Sequence, residues 1–183
     1  MMRRWMGLCV LAGSLLGCAQ VNRLDAPAAH ERRSDAALQD DRNIEYTAAQ
    51  RIAEKYRQHI RVNVTSFNHF VLLTGQVPDE MTKAGIERIV AGVDRVKGIA
   101  NELGLARENQ DGIRTSDSGI SGDVRARLRA YPALPLDHIR VYSEAGSVYL
   151  LGIVKRAEAD AASAIASTTY GVRKVVRVFE YLD

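Results

Sequence analysis

Val71-Leu72-Leu73-Thr74-Gly75-Gln76-Val77 and Val148-Tyr149-Leu150-Leu151-Gly152-Ile153-Val154 are one strand written twice. The match continues upstream without a gap, where Val62 and Val64 align with Ile139 and Val141. Downstream, Ala91-Gly92-Val93 corresponds to Tyr170-Gly171-Val172 after a slightly longer intervening segment. Self-similarity of this kind means that one supersecondary unit of about 65 residues occurs twice. Two small domains therefore fill most of a 183-residue chain.

Each unit reads as helix, strand, strand, helix, strand. In the first copy Asp40 or Asp41 is placed to cap a helix striped by Ile44, Ala48, Ile52 and Tyr56. Ile60, Val62 and Val64 alternate along a first strand, Phe67-Asn68-His69 turns, and 70–77 returns as the second. Pro78-Asp79-Glu80 opens another helix and Gly92 stops it, so 93–103 is the third strand. In the second copy Ile120, Val124 and Leu128 stripe the first helix, which Tyr131-Pro132 ends. Strands over 136–142 and 147–154, an Ala-rich helix over 156–170 stopped by Gly171, and a strand over 172–182 complete it. A strand, helix, strand connection favours a parallel crossover. The fold class is thus α+β, two tandem αββαβ units, each a three-stranded mixed sheet covered by two helices. Gly75 and Gly152 fall at equivalent points and imply a bulge or a close approach. Domains this small bury marginal cores, so the two copies are expected to pack on each other or on a partner.

The N-terminus has its own character. Arg3 and Arg4 precede an apolar run over 8–16 that is too short to span a bilayer but suits a signal-peptide core. Leu15-Leu16-Gly17-Cys18 resembles the lipobox of bacterial lipoproteins, which are cut before the Cys and acylated on it. That resemblance implies a leader of 1–17, lipidation of Cys18 and a tether of 18–39, with Ala19 after the Cys implying the outer membrane. The first domain then occupies 40–105, a linker rich in Gly, Asn, Asp and Ser covers 106–118, and the second domain occupies 119–183. Of 25 basic and 22 acidic residues the leader holds Arg3 and Arg4, so the processed chain carries a net charge of +1. Bulk electrostatics therefore gives no case for nucleic acid. Cys9 leaves with the leader, and the lone remaining Cys18 can form no disulfide within the chain.

Candidates for chemistry are few. His30, His59, His69 and His138 have no carboxylate or Cys at ligand spacing, and His69 is expected to face solvent from its turn. Gly119-Ile120-Ser121-Gly122 is not a nucleophile elbow, and no Gly-rich run followed by Lys forms a phosphate loop. The expectation is a protein without catalytic residues, metal or cofactor.

The pattern Val-x-Val, turn, Val-x-Leu-x-Gly-x-Val, then a helix ending in Gly-Val-x-x-Val, resembles the BON domain. Two copies behind a lipobox, with Arg33-Ser34 and Asp40-Asp41 ahead of the first, are similar to the outer-membrane BON lipoproteins of Gram-negative bacteria. Arg61-Val62-Asn63-Val64-Thr65 and Ala91-Gly92-Val93-Asp94 in the first copy carry the likeness. Ala161-Ala162, Ile165-Ala166-Ser167 and Gly171-Val172 carry it in the second. The resemblance implies a non-enzymatic, lipid-anchored protein facing the periplasm. It implies a part in outer-membrane integrity and cell division, and contact with phosphatidylglycerol-like anionic phospholipid through the first helix of the second domain. It implies Gly119, Ile120, Val124, Arg125, Arg127, Leu128, Arg129 and Tyr131 as the lipid-binding positions; the alternative reading of the same helix is a solvated charged face with Val124 and Leu128 in the core. Gly119 stands where the family has a large aromatic and Arg129 where it has an apolar residue, so the contact is expected to be more electrostatic. The alternative is an adapter whose exposed sheet or helices dock the outer-membrane β-barrel assembly machinery, with lipid contact incidental.

Overall fold

The computed structural model describes residues 32–56, 60–106 and 114–183, with side chains from 119 onward in the last stretch. The leader, Cys18, most of the tether and the middle of the linker lie outside the described residues. Helix α1 (Asp35–Lys55) starts six or seven residues earlier than its sequence pattern suggests, because Ser34, not Asp40 or Asp41, caps it, its hydroxyl accepting from the Ala37 N–H. Asp40 and Asp41 are therefore inside the helix, not its caps. Strands β1 (Arg61–Phe67) and β2 (Phe70–Val77) form an antiparallel hairpin in which Phe67 pairs with Phe70. Asn68 and His69 at its tip both have positive φ, the conformation that tight hairpins require. Helix α2 (Glu80–Ala91) is capped by Asp79, whose carboxylate accepts from the Thr82 N–H at 2.7 Å.

The third strand begins later than expected, since residues 92–95 form turns and a bend and Arg95 has positive φ. It runs parallel to β2 as β3 (Gly98–Asn101) and β4 (Gly104–Leu105). Both pieces keep one register, and the break falls opposite Thr74 and Gly75, where Gly75 takes φ +124°. The second copy has helix α3 (Arg114–Arg129), which starts inside the stretch expected to be linker. A 3₁₀ turn (Leu136–His138) leads into β5 (Ile139–Glu144) and β6 (Ser147–Val154). Helix α4 (Arg156–Ser167) and β7 (Lys174–Tyr181), parallel to β6, close the unit. Two mixed sheets with four helices result, as the repeat predicts.

Both repeated glycines permit a close approach between hairpin strands. A Cβ on Gly75 would stand 1.9 Å from the Arg61 carbonyl oxygen, and one on Gly152 2.4 Å from that of His138. The same backbone crowding recurs in each copy, which is why the glycine recurs.

The central strands β2 and β6 are buried on both faces, which accounts for runs such as Val71-Leu72-Leu73 that do not alternate with polar residues. Val71, Leu73 and Val77 face α1 and α2 through Ile44, Ala48, Ile52, Ile86 and Val90. Val148, Leu150 and Val154 face α3 and α4 through Val124, Leu128, Ala159, Ala162 and Ala166. The opposite faces meet each other. Phe67 and Leu72 of the first domain pack against Tyr149, Leu151 and Ile153 of the second, with Ala100, Tyr142, Val176 and Val178 around them. The layers therefore run helices, sheet, sheet, helices. Polar bonds rim this seam: Arg61 and Asn63 donate to Glu144 at 2.7 and 3.1 Å, Asn68 to Glu180 at 2.6 Å, and Lys174 to Glu102 at 2.8 Å. The exposed sheet that an adapter could offer is thus absent from these faces, because each sheet covers the other.

Candidate functional site

Helix α3 lies on β5 and beside α4, and its composition sorts its sides. Val124 and Leu128 are 0% exposed and Ile120 is buried with them in the second core. These three side chains face the core and not solvent, and they seat the helix so that the others face outward. Gly119 is exposed, with no atom within 4 Å of where its Cβ would stand.

The three arginines flank the helix on different sides. Arg125 reaches β5 and donates to the Val141 carbonyl at 2.6 Å. Arg129, one turn on, borders with it a cavity of about 310 Å³ lined also by Leu136, Asp137 and Ile139. Arg127 turns the other way and closes the C-terminal end of α4. It donates to the Ile165 carbonyl at 3.1 Å and to the hydroxyls of Thr169 and Thr168 at 2.7 and 3.0 Å. A cation there complements the unsatisfied carbonyls at a helix C-terminus. All three side chains nonetheless remain exposed, as does Tyr131 at 48%. The one acid on this part of the helix, Asp123, is also exposed. The surface can hold an anionic partner along its cationic edges, but it offers no apolar ridge.

A second constellation escaped the sequence reading. Asp41 is buried and gathers four donors: Ser66 Oγ at 2.7 Å, His69 N at 2.8 Å, Asn68 N at 2.9 Å and Arg33 Nη1 at 3.1 Å. Burial alone would raise its carboxyl, but the His69 N–H, the Ser66 hydroxyl, the Asn68 N–H and Arg33 together hold it below the usual carboxylate range. Arg33 also stacks on the Phe67 ring at 3.9 Å. Its neighbour Arg32 crosses to the second domain, where it donates to the Ile153 carbonyl at 2.7 Å and to Glu158 at 2.8 Å. Arg32 in turn holds Glu158 below its usual range, chiefly through that hydrogen bond. The Arg32-Arg33 pair thus fastens the end of the tether to both domains. The signal in the sequence was an acid on the buried stripe of α1, which runs Ala37, Asp41, Ile44, Ala48, Ile52.

His69 is also not solvent-facing. Its Nε2 lies 3.1 Å from Asp40, which Arg95 approaches at 2.7 Å, and the ring is largely buried. His69 and then Arg95 lower the Asp40 carboxyl. Among the described residues no three His, Cys, Asp or Glu side chains converge as a metal-binding group, and no helix is long and apolar enough to cross a membrane.

The pattern that defines the BON domain matches residues 40–107 and again 116–183. The chain belongs to the BON-domain family. Its two BON domains correspond to the two sheets and their paired helices. Over 96% of both chains it is 31% identical to the outer membrane lipoprotein DolP of Haemophilus influenzae. It is 30% identical to the 21 kDa hemolysin of Actinobacillus pleuropneumoniae, over 82% of this chain and 79% of that one. Among solved structures, the type III secretion structural protein CdsD of Chlamydia trachomatis covers 76% of this chain and 92% of its own. At 12% identity and a TM-score of 0.31, that likeness is too loose to carry an argument.

Proposed function

We propose that this protein is an outer-membrane lipoprotein, held by acyl chains on Cys18 and facing the periplasm. Its second BON domain adsorbs onto anionic phospholipid headgroups and thereby serves the integrity of the envelope. The observation that carries the reading is the division of α3: its large apolar residues Ile120, Val124 and Leu128 are spent on the core, while Arg125, Arg127 and Arg129 are exposed. Adsorption is then electrostatic, with Tyr131 at the headgroup level, and no helix is inserted. Similarity to an outer membrane lipoprotein along nearly the whole length supports the location. The protein would act as a membrane-bound structural or sensing element, not as an enzyme.

The test is sedimentation of residues 19–183 with vesicles. Binding is expected with phosphatidylglycerol, not with phosphatidylcholine alone, and should fall steeply as salt shortens the screening length. Arg129 is the informative substitution, since among the described residues it makes no hydrogen bond or ion pair that would confound the result. Arg129→Gln removes a cation worth about 1 kcal/mol at such a surface, which is roughly fivefold in affinity. Wild-type binding that ignores lipid charge would sink the reading. The anchor is tested apart from this: Cys18→Ser should move the protein out of the membrane fraction, and its retention there would refute acylation as the tether.

A further inference from the structure

The turn between α4 and β7 presents one side chain with almost no cover. Tyr170 is 95% exposed, the most exposed of the large hydrophobic residues described. The backbone beneath it is firmly held. Thr169 is buried, its hydroxyl donates to the Ile165 carbonyl at 3.0 Å, and the Val172 N–H returns to the Thr169 carbonyl at 3.2 Å. Gly171 takes φ +84° and lies against Ile120 of α3, whose Cδ1 would be 3.2 Å from an added Cβ. Thr168 and Thr169, the two residues before the tyrosine, are those that receive Arg127. The ring is therefore displayed by a fixed turn packed against the basic helix.

Two cations beside this turn have no carboxylate partner among the described residues: Arg127, which bonds Thr168 and Thr169, and exposed Arg173, which donates to the Ala145 carbonyl at 2.8 Å. Lys174 and Arg177 farther along are paired with Glu102 and Asp160 at 2.8 and 2.6 Å. An aromatic with a polar tip, set among cations, has the chemistry of an anionic bilayer interface, where Tyr lies at the headgroup level.

We propose that Tyr170 is a further lipid-contacting residue, an aromatic anchor that enters the headgroup layer of an anionic phospholipid bilayer beside α3. The proposal rests on the reading of α3 given above and adds a second element to the contact. The occupant is a bilayer because the chain is tied to one nearby. Arg32 is bonded to Glu158 at the start of α4, and the helix carries the chain about 14 Å from there to Ser167, three residues before Tyr170. The 14 residues from Cys18 to Arg32 span at most about 50 Å. An acylated Cys18 in the bilayer and Tyr170 on its surface are therefore compatible at the same time.

The sequence supplies a clean reporter. Its single Trp is Trp5, so residues 19–183 contain none, and every described contact lies within them. In that chain Tyr170→Trp creates the sole Trp. With phosphatidylglycerol vesicles its emission should shift to shorter wavelength and be quenched by lipids brominated near the headgroup. Tyr170→Ala should weaken vesicle binding roughly three- to tenfold with an unchanged thermal midpoint, since the side chain is uncovered. Vesicle binding with unshifted, unquenched Trp emission overturns the proposal and leaves the cationic reading of α3 standing. Absence of wild-type binding to these vesicles overturns both.

Discussion

Replacing Asp41 by Ala removes one carboxylate from the buried interior and strands several donors at once. Ser66, fully buried, loses the acceptor of its hydroxyl, and the N–H groups of Asn68 and His69 lose theirs in a turn where both residues hold positive φ. Arg33, 8% exposed, loses its carboxylate while keeping the Phe67 ring. Hydrogen bonds to a charged acceptor contribute about 1.5–3 kcal/mol each, though such values do not add, and breaking a buried ion pair from one side costs about 3–5 kcal/mol. We take the latter range as the expected loss, a large fraction of the roughly 5–15 kcal/mol that domains possess. Asp41→Asn, which keeps an acceptor but no charge, should cost about half as much. Urea unfolding of residues 19–183 by circular dichroism measures both, with the denaturant slope unchanged if only stability has moved.

The acid limb gives an independent reading. Because the folded-state pKa of Asp41 is depressed, its contribution is complete above the ordinary carboxylate value near 3.9 and is lost as pH falls through the lower folded value. Wild-type protein should thus lose stability over that window while Asp41→Asn loses less. An Asp41→Ala cost below about 1 kcal/mol, or acid limbs that coincide, would refute the claim that this carboxylate organises the hairpin tip.

Other substitutions probe other parts of the fold. Gly152→Ala forces a Cβ to 2.4 Å from the His138 oxygen and should cost about 3 kcal/mol or prevent folding, as read from the urea midpoint. By contrast Gly122→Ala, in α3 with nothing within 4 Å, should stabilise by about 0.5–1 kcal/mol and raise the thermal midpoint. Leu151→Ala at the seam should cost about 2–5 kcal/mol. Since Leu151 touches both domains' sheets, the two should still unfold in one transition; two separated transitions would mean that the seam does not couple them.

The order of elements and the pairing of strands could be read from the sequence because both signals are local. The repeat defined the unit, and alternation at Val62 and Val64 or Val175 to Leu182 defined the strands. What escaped was decided at a distance. Asp41 looked like a helix cap because capping is what an acid before an apolar run usually does, and only the returning hairpin makes it an interior acceptor. The break in the third strand follows from the conformation of Gly75 on the neighbouring strand, which no pattern within 93–103 records. In α3 the stripe of Ile120, Val124 and Leu128 was correctly placed on one side. Which side faces outward, and that Arg127 closes α4, required the packed pair of helices.

The seam between the sheets also bears on how such a chain can change. Each copy is the lid of the other: Leu72 packs under Tyr149, Leu151 and Ile153, and Phe67 lies between that cluster and Arg33. A fragment with one copy would bare an apolar sheet face, and a second identical fragment is the nearest surface able to cover it. Duplication here is an intramolecular dimer. The two halves are free to diverge on their helical exteriors, yet bound to keep matching where their sheets meet.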